Sequence, residues 1–263
     1  MNIDEQLDIT IKRDYYVVKS NHLIQKSRYG LSIKEQRAIA YICSMIKPVI
    51  ATPATYNAPY QLDYEFDIRE YAKICGLHLD SGYLYNETKS LLRGLKQKVM
   101  WLELPDGTEV TVGWLAKAWI NKRSGIVKIR LDEDLVPYLF DLQEKYTSYI
   151  LLNILAMKSQ YSIRIYEILR SHSYQKVTKY EIDKLKKMLM VEDVKSYNRF
   201  PDFRRKVLGP AMAEINEYTD LTVSYEPITK GRKVIKIKFH INKKATFDRF
   251  IAQTKANDEI TTY

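Results

Sequence analysis

Residues 200–241 read FPDFRRKVLGPAMAEINEYTDLTVSYEPITKGRKVIKIKFHI, and the period of the apolar residues changes once within them. From about Phe200 to Tyr218 the spacing is helical. At about 100° per residue Phe203, Val207, Leu208, Ala211 and Ile215 share one arc, while Arg199, Asp202, Arg205 and Lys206 point the other way. By the same arithmetic Arg204 falls inside the apolar arc, so it is expected to snorkel or pair rather than face a ligand. Beyond Tyr218 the pattern alternates. Two strands, about Leu221–Pro227 and Lys233–Ile241, flank the tight turn Thr229-Lys230-Gly231-Arg232. A long helix closed by a β-hairpin is how a winged helix-turn-helix unit ends.

The residues upstream supply the rest of that unit. Ser159–Ser173 reads as a helix through Ile163, Tyr166, Ile168 and Leu169, and Lys179-Tyr180-Glu181-Ile182 leads into a second helix over Asp183–Met190. The same order occurs earlier in the chain. A short extended segment, Tyr15–Lys19, precedes a helix that opens at a capping box, Ser32 with Glu35, and runs until Pro48. A loop over Val49–Gln61 follows, then helices over about Arg69–Cys75, ending at Gly76, and Ser81–Met100. Strands are expected at Trp101–Leu104, Glu109–Ile120 and Gly125–Leu131, with Pro105-Asp106-Gly107 as a turn. Phe66-Asp67-Ile68-Arg69 aligns with Tyr180-Glu181-Ile182-Asp183, a repeat of architecture more than of sequence. The fold class is therefore α+β, two tandem winged-helix domains. Residues 1–145 form the first, 146–244 the second, and 245–263 a polar, mobile tail.

Charge narrows the class of partner. The chain of 263 residues has a formal net charge of +10, and residues 195–244 hold twelve Lys or Arg against five Asp or Glu. A local excess of +7 is the footprint of a phosphate-contacting surface. The acidic start has no apolar core of a signal segment, and no run of 18 apolar residues exists. Cys43 and Cys75 sit in apolar helical patterns, which fits buried, reduced thiols and a cytoplasmic protein. No cofactor and no metal site is expected.

Candidate contact residues follow from the two helices that precede hairpins. In the second domain they are Arg199, Arg205 and Lys206, with Lys195 and Asn198 just ahead of the helix. In the first, Leu84, Leu91, Leu92, Leu95 and Val99 make the core face, and Asn86, Lys89, Ser90, Arg93 and Gln97 face outward. Arg and Asn can pair bidentately with guanine and adenine edges; such a stripe is also what any soluble helix presents. Lys230, Arg232 and Lys233 surround Gly231 at a natural wing tip, and Lys122 and Arg123 do so at the earlier turn. Cations on a ribbon also guard exposed strand edges against aggregation, and both readings stand at this point.

With these residues assembled, the chain resembles the theta-type plasmid replication initiator (Rep) family. Val17-Val18-Lys19-Ser20-Asn21-His22-Leu23-Ile24, with Leu31-Ser32 and Glu35-Gln36-Arg37, carries the first part of the likeness. Lys158-Ser159-Gln160-Tyr161-Ser162-Ile163-Arg164-Ile165-Tyr166-Glu167-Ile168-Leu169 carries the second. The third is Phe203-Arg204-Arg205-Lys206-Val207-Leu208, then Glu214-Ile215-Asn216, Thr219-Asp220-Leu221, Ser224-Tyr225-Glu226 and Gly231-Arg232-Lys233. The resemblance spans about residues 15–244. It implies binding to short direct repeats (iterons) in double-stranded DNA at a plasmid origin, and opening of adjacent AT-rich DNA with host replication proteins. It implies monomers in initiation and dimers that repress their own gene. It also implies principal base contacts from the second recognition helix, which singles out Arg199 and Arg205. The dimer interface and a weaker DNA contact fall to the first domain.

Two other functions use parts of the same sequence. A transcription regulator with tandem winged helices would need the same surface. A rolling-circle nicking enzyme would need a tyrosine nucleophile beside a metal held by clustered His and acidic residues. His22, His78, His172 and His240 are scattered, Tyr161 and Tyr166 lie on a helix whose periodicity buries them, and no phosphate-cradling glycine motif occurs. A non-enzymatic binding protein is the expectation.

Overall fold

The computed structural model describes residues 3–46, 60–142 and 145–261. Helix α1 (Ile3–Arg13), strand β1 (Tyr16–Ser20), helix α2 (Asn21–Lys26) and strand β2 (Ser27–Arg28) open the chain. Helix α3 (Ile33–Met45) starts at the expected capping box: the Ser32 hydroxyl accepts from the Glu35 N–H, and the Glu35 carboxylate accepts from the Ser32 N–H at 2.7 Å. Most of the expected loop over 49–61 lies outside the described residues. Strand β3 (Asp63–Asp67) runs directly into α4 (Ile68–Cys75), followed by α5 (Ser81–Gln97). Asp67 and Asp80 cap these two helices by accepting from first-turn N–H groups. Strands β4 (Val99–Glu103), β5 (Glu109–Gly113), β6 (Leu115–Ile120) and β7 (Ile126–Leu131) follow, with the single turn α6 (Val136–Leu139).

The second half has strand β8 (Tyr146–Ile150) and helices α7 (Leu152–Leu155) and α8 (Gln160–Ser171). Strand β9 (Val177–Glu181) and helix α9 (Ile182–Met188) come next. One helical run then spans α10 (Phe200–Phe203), a wider π turn at Arg204–Leu208, and α11 (Gly209–Tyr218). Strands β10 (Leu221–Lys230) and β11 (Lys233–Lys243) form the hairpin, and α12 (Thr246–Thr261) closes the chain.

The two halves are the same unit built twice. In one, β3 pairs with β7, which pairs with β6; in the other, β9 pairs with β11, which pairs with β10. Phe66 and Asp67 stand opposite Val127 and Ile126, as Tyr180 and Glu181 stand opposite Ile237 and Lys236. Each strand then turns into the first helix of a helix-turn-helix, at Ile68 and at Ile182. Both units are winged helices. Hairpin β4–β5 is an insertion in the first, ahead of its wing.

Four features depart from expectation. The strand expected over Glu109–Ile120 breaks at Trp114, which is 1% exposed and meets Tyr29 edge-on at 5.1 Å. Burying that ring turns the chain, so β5 joins β2 and β4 while β6 joins β3 and β7. Val99, expected on the core face of α5, lies beyond the helix end and is half exposed, because β4 begins there. The acidic start, for which spacing predicts no element, is helical: Ile9 is buried, and the buried Arg13 donates to the carbonyls of Ile74 and Lys73 and to Asn257 at 2.9–3.0 Å.

The fourth is the expected polar tail at 245–263, which is helix α12 over Thr246–Thr261. Ala252, Ala256 and Ile260, at i, i+4 and i+8, are buried, and the helix packs on α7 and α11. Small side chains allow the close approach that low hydropathy had concealed. Ile260 also lies against Gly76, which ends α4 at φ +64°; a Cβ there would sit 2.5 Å from Ile260 Cγ2 and 2.6 Å from its carbonyl oxygen. Gly76→Ala is expected to cost about 1–2 kcal/mol in backbone strain alone. It should also loosen α12, read as faster amide exchange across residues 246–261.

The junction between halves is a shared structure rather than a linker. Strand β8, past the boundary expected at 145/146, pairs antiparallel with β1, from Tyr16 opposite Ile150 to Ser20 opposite Tyr146. Among the described residues no helix is long and apolar enough to cross a membrane.

Candidate nucleic-acid interface

The helical run Phe200–Tyr218 turns its apolar arc inward as the periodicity predicts. Phe203, Val207, Leu208, Ala211 and Ile215 are wholly buried. Pro210 has no N–H to give to Lys206, and its ring crowds that carbonyl. The backbone takes one wider turn, in which the Gly209 N–H donates to the Arg204 carbonyl five residues back. A π turn turns less per residue than an α-helix, and the wheel drawn at constant pitch fails here. Arg204 is not in the apolar arc: it is exposed together with Arg205 and Lys206. Burial pushes the Tyr225 hydroxyl of β10 up, and the Arg204 charge pulls it back.

Ahead of the helix, Lys195 and Asn198 are exposed on a short 3₁₀ turn. That turn is anchored by Tyr197, whose buried ring meets Phe203 edge-on at 6.0 Å. The side chains of Arg199 and Arg205 are 78% and 70% exposed, and both reach Asp202, at 3.6 Å and 3.1 Å. Exposed ion pairs of this kind hold their partners weakly, about 0–1 kcal/mol, so a better acceptor can take either guanidinium.

At the wing tip Gly231 has φ +60° with open space around it, so the glycine serves the turn and not a close packing contact. Lys230, Arg232 and Lys233 are all exposed. Lys230 and Lys233 stand directly opposite each other across the ribbon. Like charges at that spacing repel, and a bound polyanion would relieve the repulsion.

The first domain repeats the arrangement with less charge. Asn86, Lys89, Ser90, Arg93 and Gln97 are exposed on α5, as expected, and Lys122 and Arg123 are exposed at the β6–β7 turn. Asn86, Lys122 and Arg123 line one cleft of about 330 Å³ with Arg69 and Tyr85; Lys89 and Arg93 lie on the helix outside it. Asn121 shapes the turn by accepting from the N–H groups of Arg123 and Ser124.

Two contributors escaped the sequence reading. Arg69, on the first turn of α4, lines the cleft from a helix on which spacing marks no contact residue. Trp119 is exposed on β6 with Lys117 and Lys128 at 4.9 Å and 5.8 Å from its ring centre. Its position opposite Lys128 was the available signal, once the strand register was known.

Tyr166 is wholly buried, donates to Asp220 at 2.8 Å, and has its pKa pushed well up by burial. Burial likewise raises the thiols of Cys43 and Cys75, to about 11 and about 12, which keeps them protonated at neutral pH.

Comparison with known proteins gives two family matches. The description "Initiator Replication protein, WH1" fits residues 16–170, and "Initiator Rep protein, WH2" fits residues 181–241. A replication initiation protein of Escherichia coli is 25% identical over 233 residues, covering 86% of this chain and 69% of its own length. The PI protein of Escherichia coli is 29% identical over 144 residues, covering 49% of this chain and 46% of its own length. The crystal structure of Pi initiator protein in complex with iteron DNA superposes with a TM-score of 0.69 at 20% identity, covering 88% of this chain and 98% of that one. At that identity the superposition speaks for the fold.

Proposed function

The chain belongs to the initiator replication protein family, and from that premise we propose that it binds direct repeats at a plasmid origin with both winged helices on one duplex. The observation that carries this reading is the row of exposed cations Arg199, Arg204, Arg205 and Lys206 on the helical run that leads into the wing, at whose tip Lys230 faces Lys233. Arg199 and Arg205 read base edges, and Lys206, Lys195 and Asn198 support them. Lys230, Arg232 and Lys233 hold phosphates. In the first domain Asn86, Lys122 and Arg123 make a weaker contact with Lys89 and Arg93 beside it. The likeness to a protein solved with iteron DNA supports this choice of ligand.

Binding opens neighbouring AT-rich DNA together with host proteins, and the role is one of binding rather than catalysis. Two copies joined through the first domain repress the chain's own gene. Among the described residues the outer edge of β5 pairs with no strand and lies beside the exposed Val99 and Trp101 of β4, which supports that contact.

Footprinting on the DNA beside the coding region tests the proposal. Two recognition helices entering successive major grooves should protect about 20 bp per repeat; protection of half a turn would refute tandem reading. Incubation of supercoiled origin DNA with Mg²⁺ or Mn²⁺ should leave no covalent adduct. Lys230→Ala should weaken binding to every duplex and lower the slope of log affinity against log salt by about one unit.

A further inference from the structure

At the junction of the two halves lies an ionic cluster that no DNA-reading surface touches. Glu167 of α8 is 1% exposed. Its carboxylate accepts from Lys19 of β1 at 2.7 Å, from Tyr149 of β8 at 2.5 Å and from Tyr29 at 3.2 Å. One turn back on α8, Arg164 donates to the Ser27 carbonyl at 2.8 Å and lies over the Tyr29 ring at 4.5 Å. Lys19, Ser27 and Tyr29 lie ahead of α3 in the first winged helix; Tyr149, Arg164 and Glu167 lie after it on β8 and α8, and although the WH1 match runs to residue 170, α8 packs on α11 of the second winged helix.

Opposite charges removed from water rarely stabilise a core more than apolar side chains of the same volume would. What they add is direction. Two carboxylate oxygens met by three donors have one satisfactory arrangement, and sliding one half over the other leaves a charge unpartnered where the dielectric is low. Apolar surfaces tolerate such a slide.

We infer that Glu167 is a positioning residue for DNA recognition: it fixes the first winged helix relative to the second, and so sets the spacing along the duplex at which both bind together. The inference rests on the two-domain reading proposed above.

The test is the affinity of the whole chain for duplexes in which the segment under the first domain is displaced by 1, 2 or 3 bp from the segment under the second. Displacement by 2 bp moves a groove by about a fifth of a turn. The unaltered chain should lose about tenfold or more in affinity, the equivalent of one coupled contact. In Glu167→Gln, and in the charge-neutral Lys19→Met/Glu167→Gln, that loss should shrink to about twofold. Binding to a duplex carrying the second domain's segment alone should not change. Tyr149→Phe keeps the ion pair, and its discrimination should fall between the two.

If the unaltered chain ignores displacement, the two-domain reading fails and the inference with it. If the unaltered chain discriminates and the folded variants do so equally, the reading stands and Glu167 has no positioning role. Loss of a cooperative thermal transition in all three variants would make the cluster an element of stability alone, and would equally overturn the inference.

Discussion

An Arg199→Ala/Arg205→Ala variant is expected to bind its cognate repeat more weakly by about 2–5 kcal/mol, each bidentate base contact being worth about 1–3 kcal/mol and the two sharing a neighbour. The shared neighbour is Asp202. Both side chains project from a helix whose opposite face is wholly buried, so the helix holds them without depending on them. The melting temperature should therefore stay within a few degrees of the parent, as for most surface substitutions. Fluorescence anisotropy on cognate and scrambled duplexes separates the possibilities. A loss confined to the cognate duplex identifies base reading. Equal losses on both would make the two arginines phosphate clamps, and no loss on either would remove them from the interface.

Lys19→Ala acts on stability instead, and by more than most single substitutions. Removing one partner of a buried ion pair leaves the other uncompensated, at a cost of about 3–5 kcal/mol. Here Glu167 would keep its bonds from Tyr149 and Tyr29 and lose its closest cation. In the parent chain, burial works to raise the Glu167 carboxyl, but Lys19, Arg164 and the hydrogen bonds outweigh it and hold it below the usual range. A depressed carboxyl stabilises the fold above its unfolded value and loses that contribution as pH falls through its folded value. Burial works to lower the Lys19 ammonium, and Glu167 outweighs it, so that group is held above its usual range. Its contribution is present below the unfolded value and is lost as pH rises through the folded one. The pair therefore supports the fold across the neutral range. Denaturant titrations should show the cost of Lys19→Ala at its largest near neutral pH and shrinking in acid, where Glu167 takes up a proton. A cost independent of pH would point to lost packing around the lysine stem rather than to the stranded carboxylate.

The arginine pair and the buried Lys19–Glu167 pair are legible in the sequence to very different degrees. The outward facing of Arg199, Arg205 and Lys206 could be read from spacing, because five buried apolar residues fix the opposite arc. Arg204, one position away, could not. Pro210 forces a wider turn several residues earlier, and a helical wheel has no term for that. Lys19 and Glu167 lie 148 positions apart, and neither stands in a pattern that marks it as buried.

By itself the sequence determined two helix-and-hairpin units, their order, and the concentration of cations on the second. Those properties are local: they follow from apolar period, turn chemistry and charge over a few tens of residues. Tertiary structure alone decided the break at Trp114, the docking of α1 and α12 around Arg13 and Gly76, and the ionic cluster that joins the halves. Each depends on a partner remote in the chain, and burial by a distant surface leaves no trace in the spacing of the residues it covers.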